Sequence, residues 1–290
     1  MSTIKSKASR AVIFILCLAL ASFCIRVQAY AAAPPPEGTP CVGTSATDIM
    51  VRVGPLCVDK YEASVWSGPG GTGIHYPQAN PRYPTTFPVT GNWTEPLYAA
   101  SVKGVIPSTF LTWFQAQQAC ALSGKRLLTN AEWQMAAAGT PDPGLNGDGL
   151  TQCNTNTLGP VETGKAAKCV SKWGVHDMVG NVNEWVADWL HGPGTAASGG
   201  HSVTGDWSPI FNSHSSADYG NDFIGSINDA VHLEAPQTGP NSVNNDPDAM
   251  PAAIYRGGYW GGGEGDGVFF LFADHTPSSL DNATGSRCAR

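Results

Sequence analysis

Short apolar stretches punctuated by Gly and Pro organise this chain; long amphipathic periods are absent. Ile49-Met50-Val51-Arg52-Val53 and Leu56-Cys57-Val58-Asp59-Lys60-Tyr61-Glu62 predict two strands joined at Gly54-Pro55. Ala253-Ile254-Tyr255-Arg256 and Val268-Phe269-Phe270-Leu271-Phe272 predict two more near the end. Helix signals occur twice. Thr112 with Gln115, and Thr129 with Glu132, form capping boxes, in which the N-cap hydroxyl and the N3 side chain each satisfy a backbone N–H. They predict one helix ending before Gly124 and another ending near Gly139. Ala116, Ala119 and Cys120 give the first helix a small-residue face suited to close packing. Residues 64–97, rich in Gly, Pro, Tyr and Trp, read as a surface excursion. A structureless loop as long as residues 190–250 is unusual in a compact domain. That stretch is either a functional excursion or is laid on the scaffold through Trp207, Ile210, Phe211, Tyr219 and Phe223. No internal repeat and no second-domain boundary interrupts the pattern.

Composition sharpens this to a loop-rich fold. The chain has 290 residues, 34 Gly, 22 Pro and nine Trp, with only 13% charged residues. Aromatic side chains hold such loops by burying a large area each. Lys5, Lys7 and Arg10 precede an apolar run, Ala11 to Ile25, too short for a good membrane span, and a small-residue cleavage signal lies near Ala29. Residues 1–29 therefore read as a signal peptide and 30–44 as a linker, with one domain over 45–290. The expected location is secreted, periplasmic or cell-surface, with no transmembrane anchor. Removing residues 1–29 removes four positive charges and no acid, taking the formal charge from −7 to −11. An acidic surface repels phosphate backbones, so nucleic acid is not an expected partner. Six cysteines then remain, an even number that suits three disulfides in an oxidising compartment, and their spacings match no zinc pattern.

Four motifs in one order carry a resemblance. They are Cys57-Val58-Asp59-Lys60-Tyr61-Glu62; Gly124-Lys125-Arg126-Leu127-Leu128-Thr129-Asn130-Ala131-Glu132-Trp133; Gly174-Val175-His176-Asp177-Met178-Val179-Gly180-Asn181-Val182-Asn183-Glu184-Trp185; and Arg256-Gly257-Gly258 with Gly285-Ser286-Arg287-Cys288. Over roughly residues 45–290 the chain resembles the formylglycine-generating enzyme family, the sulfatase-modifying factor domain. The resemblance implies an α+β, irregular fold of the C-type lectin type with little regular structure. It implies that Cys120 pairs with Cys288 and Cys153 with Cys169, leaving Cys41 with Cys57; free buried cysteines are the alternative. It also implies a structural Ca²⁺ held by the side chains of Asp177 and Glu184 and the carbonyls of Gly180 and Val182. A tight Gly turn can gather hard oxygens for such an ion. The alternative is that Asp177 and Glu184 only accept backbone N–H bonds.

The family's chemistry is not expected here. The enzyme oxidises a substrate cysteine with two closely spaced cysteines and thiolate-bound copper, and soft Cu(I) needs sulfur ligands. The corresponding stretch, Tyr259 to Gly267, has no cysteine. Copper and catalytic residues are therefore not expected. His75, His176, His201, His214, His232 and His275 show no ligand spacing, and no G-x-S-x-G elbow is present.

The terminal segment, 256–290, is instead similar to the variable region of proteins diversified by diversity-generating retroelements. These are secreted or displayed binders on a lectin-type fold. A frame of Gly, Trp, Cys and Arg would then surround a contact surface: Tyr259, Gly261, Gly262, Glu264, Asp266, Phe270, Phe272, Asp274, His275, Ser279 and Asp281. Trp260, a frame residue, is placed with the binding residues as well. Alternation puts Phe270 and Phe272 on one side of a strand and Phe269 and Leu271 on the other. The first pair would form an exposed anchor with a polar rim, unless the strand is buried on both faces. The expected function is a non-catalytic binder of a protein or glycan ligand or receptor. An oxidoreductase of the formylglycine-generating type and an accessory envelope protein are the alternatives.

Overall fold

Both capping boxes form. Thr112 accepts from the Gln115 N–H while Gln115 Oε1 accepts from the Thr112 N–H, starting α1 (Trp113–Leu122). Thr129 and Glu132 do the same for α2 (Asn130–Ala137). Gly124 and Gly139 follow the two helices at φ 68° and 80°, the left-handed values that only Gly adopts without strain. These elements belong to a computed structural model that describes residues 40–41, 45–77, 83–190, 224–225, 252–275 and 277–290. Of Asp274 and His275 only the backbone is described. The stretch from Trp207 to Phe223 and the signal and linker segments up to residue 39 lie outside the described residues. All described residues fall in one compact unit, Pro35–Arg290.

Thirteen short strands are described: β1 (Pro40–Cys41), β2 (Met50–Val53), β3 (Leu56–Asp59), β4 (Ser64–Gly68), β5 (Thr72–Tyr76), β6 (Tyr98–Ala100), β7 (Arg126–Leu127), β8 (Asn183–Leu190), β9 (Ile224–Gly225), β10 (Ala252–Arg256), β11 (Leu271–His275), β12 (Thr284–Ser286) and β13 (Cys288–Ala289). They make three sheets: β1-β2-β3-β13-β7, β12-β8-β10-β11-β9 and β5-β4-β6. The fold is α+β and irregular, as the resemblance implies. β2 and β3 form the expected hairpin, with Val53 opposite Leu56 across Gly54.

The central sheet packs apolar side chains on both faces. Trp185, Ala253, Tyr255 and, at its edge, half-buried Phe272 pack on one side with Leu111, Ala116 and Cys120. Val186, Ile254, Leu271 and Ala273 pack on the other with Trp133, Met178 and Val58. Alternation along each strand sends successive side chains to opposite faces, which fixes the register.

Two expectations are corrected. Residues 64–97 are not a surface excursion: they carry the β4–β5 hairpin, and Val65 and Phe87 are fully buried. The predicted strand at 268–272 begins at Leu271, because Gly267 to Phe270 form a turn in which the Phe270 N–H donates to the Gly267 carbonyl at 3.1 Å. The turn reverses the expected facing: Phe269 is exposed and Phe270 is 8% exposed.

Disulfides join Cys41 to Cys57, Cys120 to Cys288 and Cys153 to Cys169. The Cys120–Cys288 bridge fastens α1 to β13, across 168 residues of chain. Among the described residues no helix is long and apolar enough to cross a membrane.

Candidate binding site

Two buried arginines brace the terminal segment. Arg287 is fully buried; its Nε and Nη2 donate to the Glu184 carboxylate at 2.6–3.1 Å. Its Nη1 donates to the Asp59 carbonyl at 2.9 Å and Nη2 to the His176 carbonyl at 2.8 Å. Glu184 Oε2 also accepts from Trp133 Nε1 at 2.7 Å. Arg256 lies over the same Trp133 ring at 4.4 Å, and donates to the Phe270 and Val268 carbonyls at 2.6 and 3.0 Å. Asn130 and Gln134, on α2, accept its remaining N–H groups. One indole thus links the two ends of the segment: Arg256 on its face, Glu184 and then Arg287 at its edge.

The Arg256-Gly257-Gly258 turn has no room for side chains. Gly257 and Gly258 have φ 89° and 84°. A Cβ on Gly257 would lie 3.0 Å from the Trp133 ring, and one on Gly258 would lie 1.9 Å from Asp266 Oδ1. Asp266 is fully buried and accepts from the Tyr259 N–H at 3.1 Å, closing the loop between them. The loop is tied outward as well. The Trp260 N–H donates to the Asn181 carbonyl at 3.0 Å, the Thr157 N–H to the Trp260 carbonyl at 2.7 Å, and the Gly263 N–H to the Thr155 carbonyl at 2.8 Å.

The expected contact residues divide. Gly261 and Glu264 are exposed, and Tyr259, Trp260 and Gly262 are half-buried on the same loop, with Tyr259 and Trp260 edge to face at 5.4 Å. Asp266, Phe270 and Ser279 are buried, at 0%, 8% and 1% exposure, so none is part of an outward surface. Phe272 is half-buried and stacks with Phe270 and Tyr255 at 6.2 and 5.3 Å. Phe270 and Phe272 therefore form an aromatic stack with Tyr255 and not the expected exposed pair. Asp281 is half-buried and serves its own turn: Oδ1 accepts from the Ala283 N–H at 2.6 Å and Oδ2 from the Thr284 hydroxyl at 2.7 Å. The side chains of Asp274 and His275 lie outside the description.

The side chains expected to hold Ca²⁺ have protein partners in this arrangement. Both Glu184 oxygens face the Arg287 guanidinium, which competes with a cation for the same lone pairs. Asp177 Oδ2 accepts from the Gly164 N–H at 2.6 Å. Burial pushes the Asp177 carboxyl up to about 7. Burial likewise holds Glu62 well above the usual carboxylate range, with Asp177 and Glu184 adding to the effect. Glu62 accepts from the Val182 N–H at 3.1 Å and from Asn181 Nδ2 at 2.5 Å. The turn around Gly180 and Val182 is thus organised by protein donors. Among the described residues no group of three or more His, Cys, Asp or Glu could hold a metal.

Sequence reasoning overlooked two features at this loop. Leu158 is 99% exposed and Leu145 is 56% exposed, on turns beside it. A lone Leu in Thr-Asn-Thr-Leu-Gly-Pro was the available signal.

Comparison with known proteins agrees with the motifs. Residues 90–290 match the sulfatase-modifying factor enzyme 1-like domain. A formylglycine-generating enzyme of Thermomonospora curvata is 33% identical over 101 residues, covering 29% of this chain and 33% of that enzyme. The serine/threonine-protein kinase Pkn1 of Chlamydia trachomatis serovar L2 is 35% identical over 86 residues, 29% of this chain and 14% of the kinase. The chain therefore spans about a seventh of the kinase and a third of the enzyme. Among solved structures, the Major Tropism Determinant I1 variant overlays with a TM-score of 0.41 at 18% identity, over 89% of this chain and 53% of that one. Treponema denticola variable protein 1 gives 0.41 at 15%, over 89% and 92%. PvdO from Pseudomonas aeruginosa gives 0.39 at 17%, over 88% and 99%. With its match running from residue 90 to residue 290, this chain belongs to the sulfatase-modifying factor enzyme 1-like domain family.

Proposed function

We propose that this protein is a secreted or surface-displayed, non-catalytic binder that holds a protein or glycan ligand at the Gly257–Gly267 loop. The placement of sulfur carries the reading. Tyr259 to Gly267 contains no cysteine, and Cys288, the nearest in sequence, is fully buried in its bridge to Cys120. A copper-dependent oxidation of a substrate cysteine needs thiolates at that place, both to hold soft Cu(I) and to exchange with the substrate. The loop instead offers Tyr259 and Trp260 on a backbone anchored at both ends, with Gly261 and Glu264 outermost. Rigid aromatic residues give contact area at low entropic cost. Three disulfides suit an oxidising location.

Two experiments test this. In a peptide-cysteine oxidation assay with added copper, the oxidised protein is expected to give no turnover. Formation of the aldehyde product would favour the family's oxidoreductase activity instead. On arrays of glycans and of surface proteins, a ligand is expected whose binding falls at least about tenfold on Gly261→Arg, which blocks the loop with a long side chain. Ligands indifferent to that change would move the site elsewhere.

A further inference from the structure

Leu145 and Leu158 stand beside the Gly257–Gly267 loop, and their turns are fixed. Asn156 Nδ2 donates to the Leu145 carbonyl at 2.9 Å, and the Thr157 N–H to the Trp260 carbonyl at 2.7 Å. A Cβ on Gly263 would lie 3.1 Å from a Leu145 methyl, so Leu145 flanks the turn that carries Glu264. Cys153, within the same stretch, is bridged to Cys169. Isolated exposed leucines are ordinary on a surface. Two on ordered turns flanking an aromatic pair gather exposed apolar side chains beside one loop, which suits an interaction site.

Acids outnumber bases around this patch; Lys165 pairs with Glu162 at 2.8 Å, and Lys168 adjoins the Asp148 turn, its backbone N–H donating to the Thr151 carbonyl. Residues 140–164 and 257–275 contain Asp142, Asp148, Glu162, Glu264, Asp266 and Asp274 and no Lys or Arg. Asp142, Asp148 and Glu264 are exposed. A Cβ on Gly144 would meet the Glu264 side chain at 3.8 Å, which puts Glu264 against the turn between Asp142 and Leu145. Asp148 Oδ1 accepts the N–H groups of Leu150, Thr151 and Gln152 at 2.8–2.9 Å, so its charge is fixed in place.

Building on the binder reading, the geometry points to a protein partner whose apolar anchor is ringed by Lys and Arg. The anchor seats on Leu145, Leu158 and the Tyr259–Trp260 pair, while Glu264, Asp142 and Asp148 face the cations. Such complementarity speeds encounter and fixes register. The same acids repel an anionic lipid surface.

The test selects a phage-displayed random peptide library on the intact, oxidised protein, then titrates fluorescent copies of the enriched peptides. Enriched peptides are expected to set Lys or Arg beside Leu, Phe or Trp. Leu158→Asp is expected to weaken them at least about tenfold with no change in Tm, since its side chain touches nothing the fold needs. Glu264→Lys and Asp148→Lys should weaken binding at low salt, and about 0.5 M NaCl should weaken it in the wild type. Acidic or uncharged peptides overturn the inference, as does the absence of enrichment, peptides that bind Leu158→Asp as well as wild type, or binding of phosphatidylserine vesicles that these variants abolish. Array ligands lost on Gly261→Arg but kept by Leu158→Asp remove this inference alone and leave the binder reading standing. Ligands indifferent to both changes remove both.

Discussion

Replacing Arg287 with Met removes a guanidinium that makes three bonds to Glu184 and one each to the Asp59 and His176 carbonyls, all in a fully buried setting. Methionine fills much of the volume but leaves a buried carboxylate without its countercharge. Breaking a buried pair from one side costs about 3–5 kcal/mol, because the remaining charge keeps its desolvation penalty. Glu62 and Asp177 raise the stakes, since the same guanidinium draws both carboxyls down toward their ordinary range. Against a total stability of about 5–15 kcal/mol, the loss is a large fraction. Urea denaturation of the oxidised protein at neutral pH, followed by tryptophan fluorescence, measures it. The double variant Arg287→Met with Glu184→Met removes both charges and, although it leaves the Trp133 indole N–H without its acceptor, should be about 1–3 kcal/mol more stable than Arg287→Met alone, because no charge of the pair stays buried without its partner. A single-variant loss below about 1 kcal/mol, or a double variant no better than the single, would refute the claim that this pair braces the terminal segment.

The remaining predictions concern bridges, protons and glycine. Cys120→Ser with Cys288→Ser should cost about 5 kcal/mol and the Cys41–Cys57 pair about 3 in the chain-entropy model, because the first closes 168 residues and the second 16; urea midpoints decide the order. Burial, helped by the positive charges of Lys60, Arg287 and Lys103, pulls His176 down to about 4 from an unfolded value near 6.5. The fold therefore prefers the neutral ring, and that stability is present above pH ~6.5 and lost as pH falls toward ~4. Since the ring is only partly buried, solvent screening reduces the effect to about 1–2 kcal/mol; the difference between wild type and His176→Gln across that window checks it. Gly258→Ala should lower stability by about 1–3 kcal/mol, through its φ of 84° and the collision with Asp266, readable as a fall in Tm and in ligand binding at the loop.

How much of this was legible follows from where the information sits. The capping boxes at Thr112 and Thr129 are local, so the sequence displays them whole. Glycines at helix ends, and the β2–β3 hairpin, are legible for the same reason. The five consecutive apolar residues from Val268 have no alternation, so nothing in them marks where turn gives way to strand. β8 hides because it mixes Asn183, Glu184 and Asp188 with Trp185 and Val186, and Glu184 is apolar in effect only through Arg287, 103 residues away. Asp266 reads as a contact because acids in Gly-rich loops usually face solvent. Only the folded loop shows its carboxylate under the Tyr259 N–H. The Arg287 partnership of Glu184 is hidden similarly, since the sequence cannot display which cation Glu184 meets.

β13 runs between β3 and β7, so two residues from the far end of the sequence separate strands near the beginning from one in the middle. A ribosome must therefore deliver Cys288 and Ala289 before that sheet can close. A premature stop or a shifted reading frame anywhere between Tyr259 and Asp281 discards Arg287 and Cys288 together. Chains with such errors lack the Arg287–Glu184 pair and the Cys120–Cys288 bridge, whereas in-frame exchanges at Tyr259, Gly261 or Glu264 keep both. The codons for Arg287 and Cys288 thus act as a checksum on the coding of the loop before them.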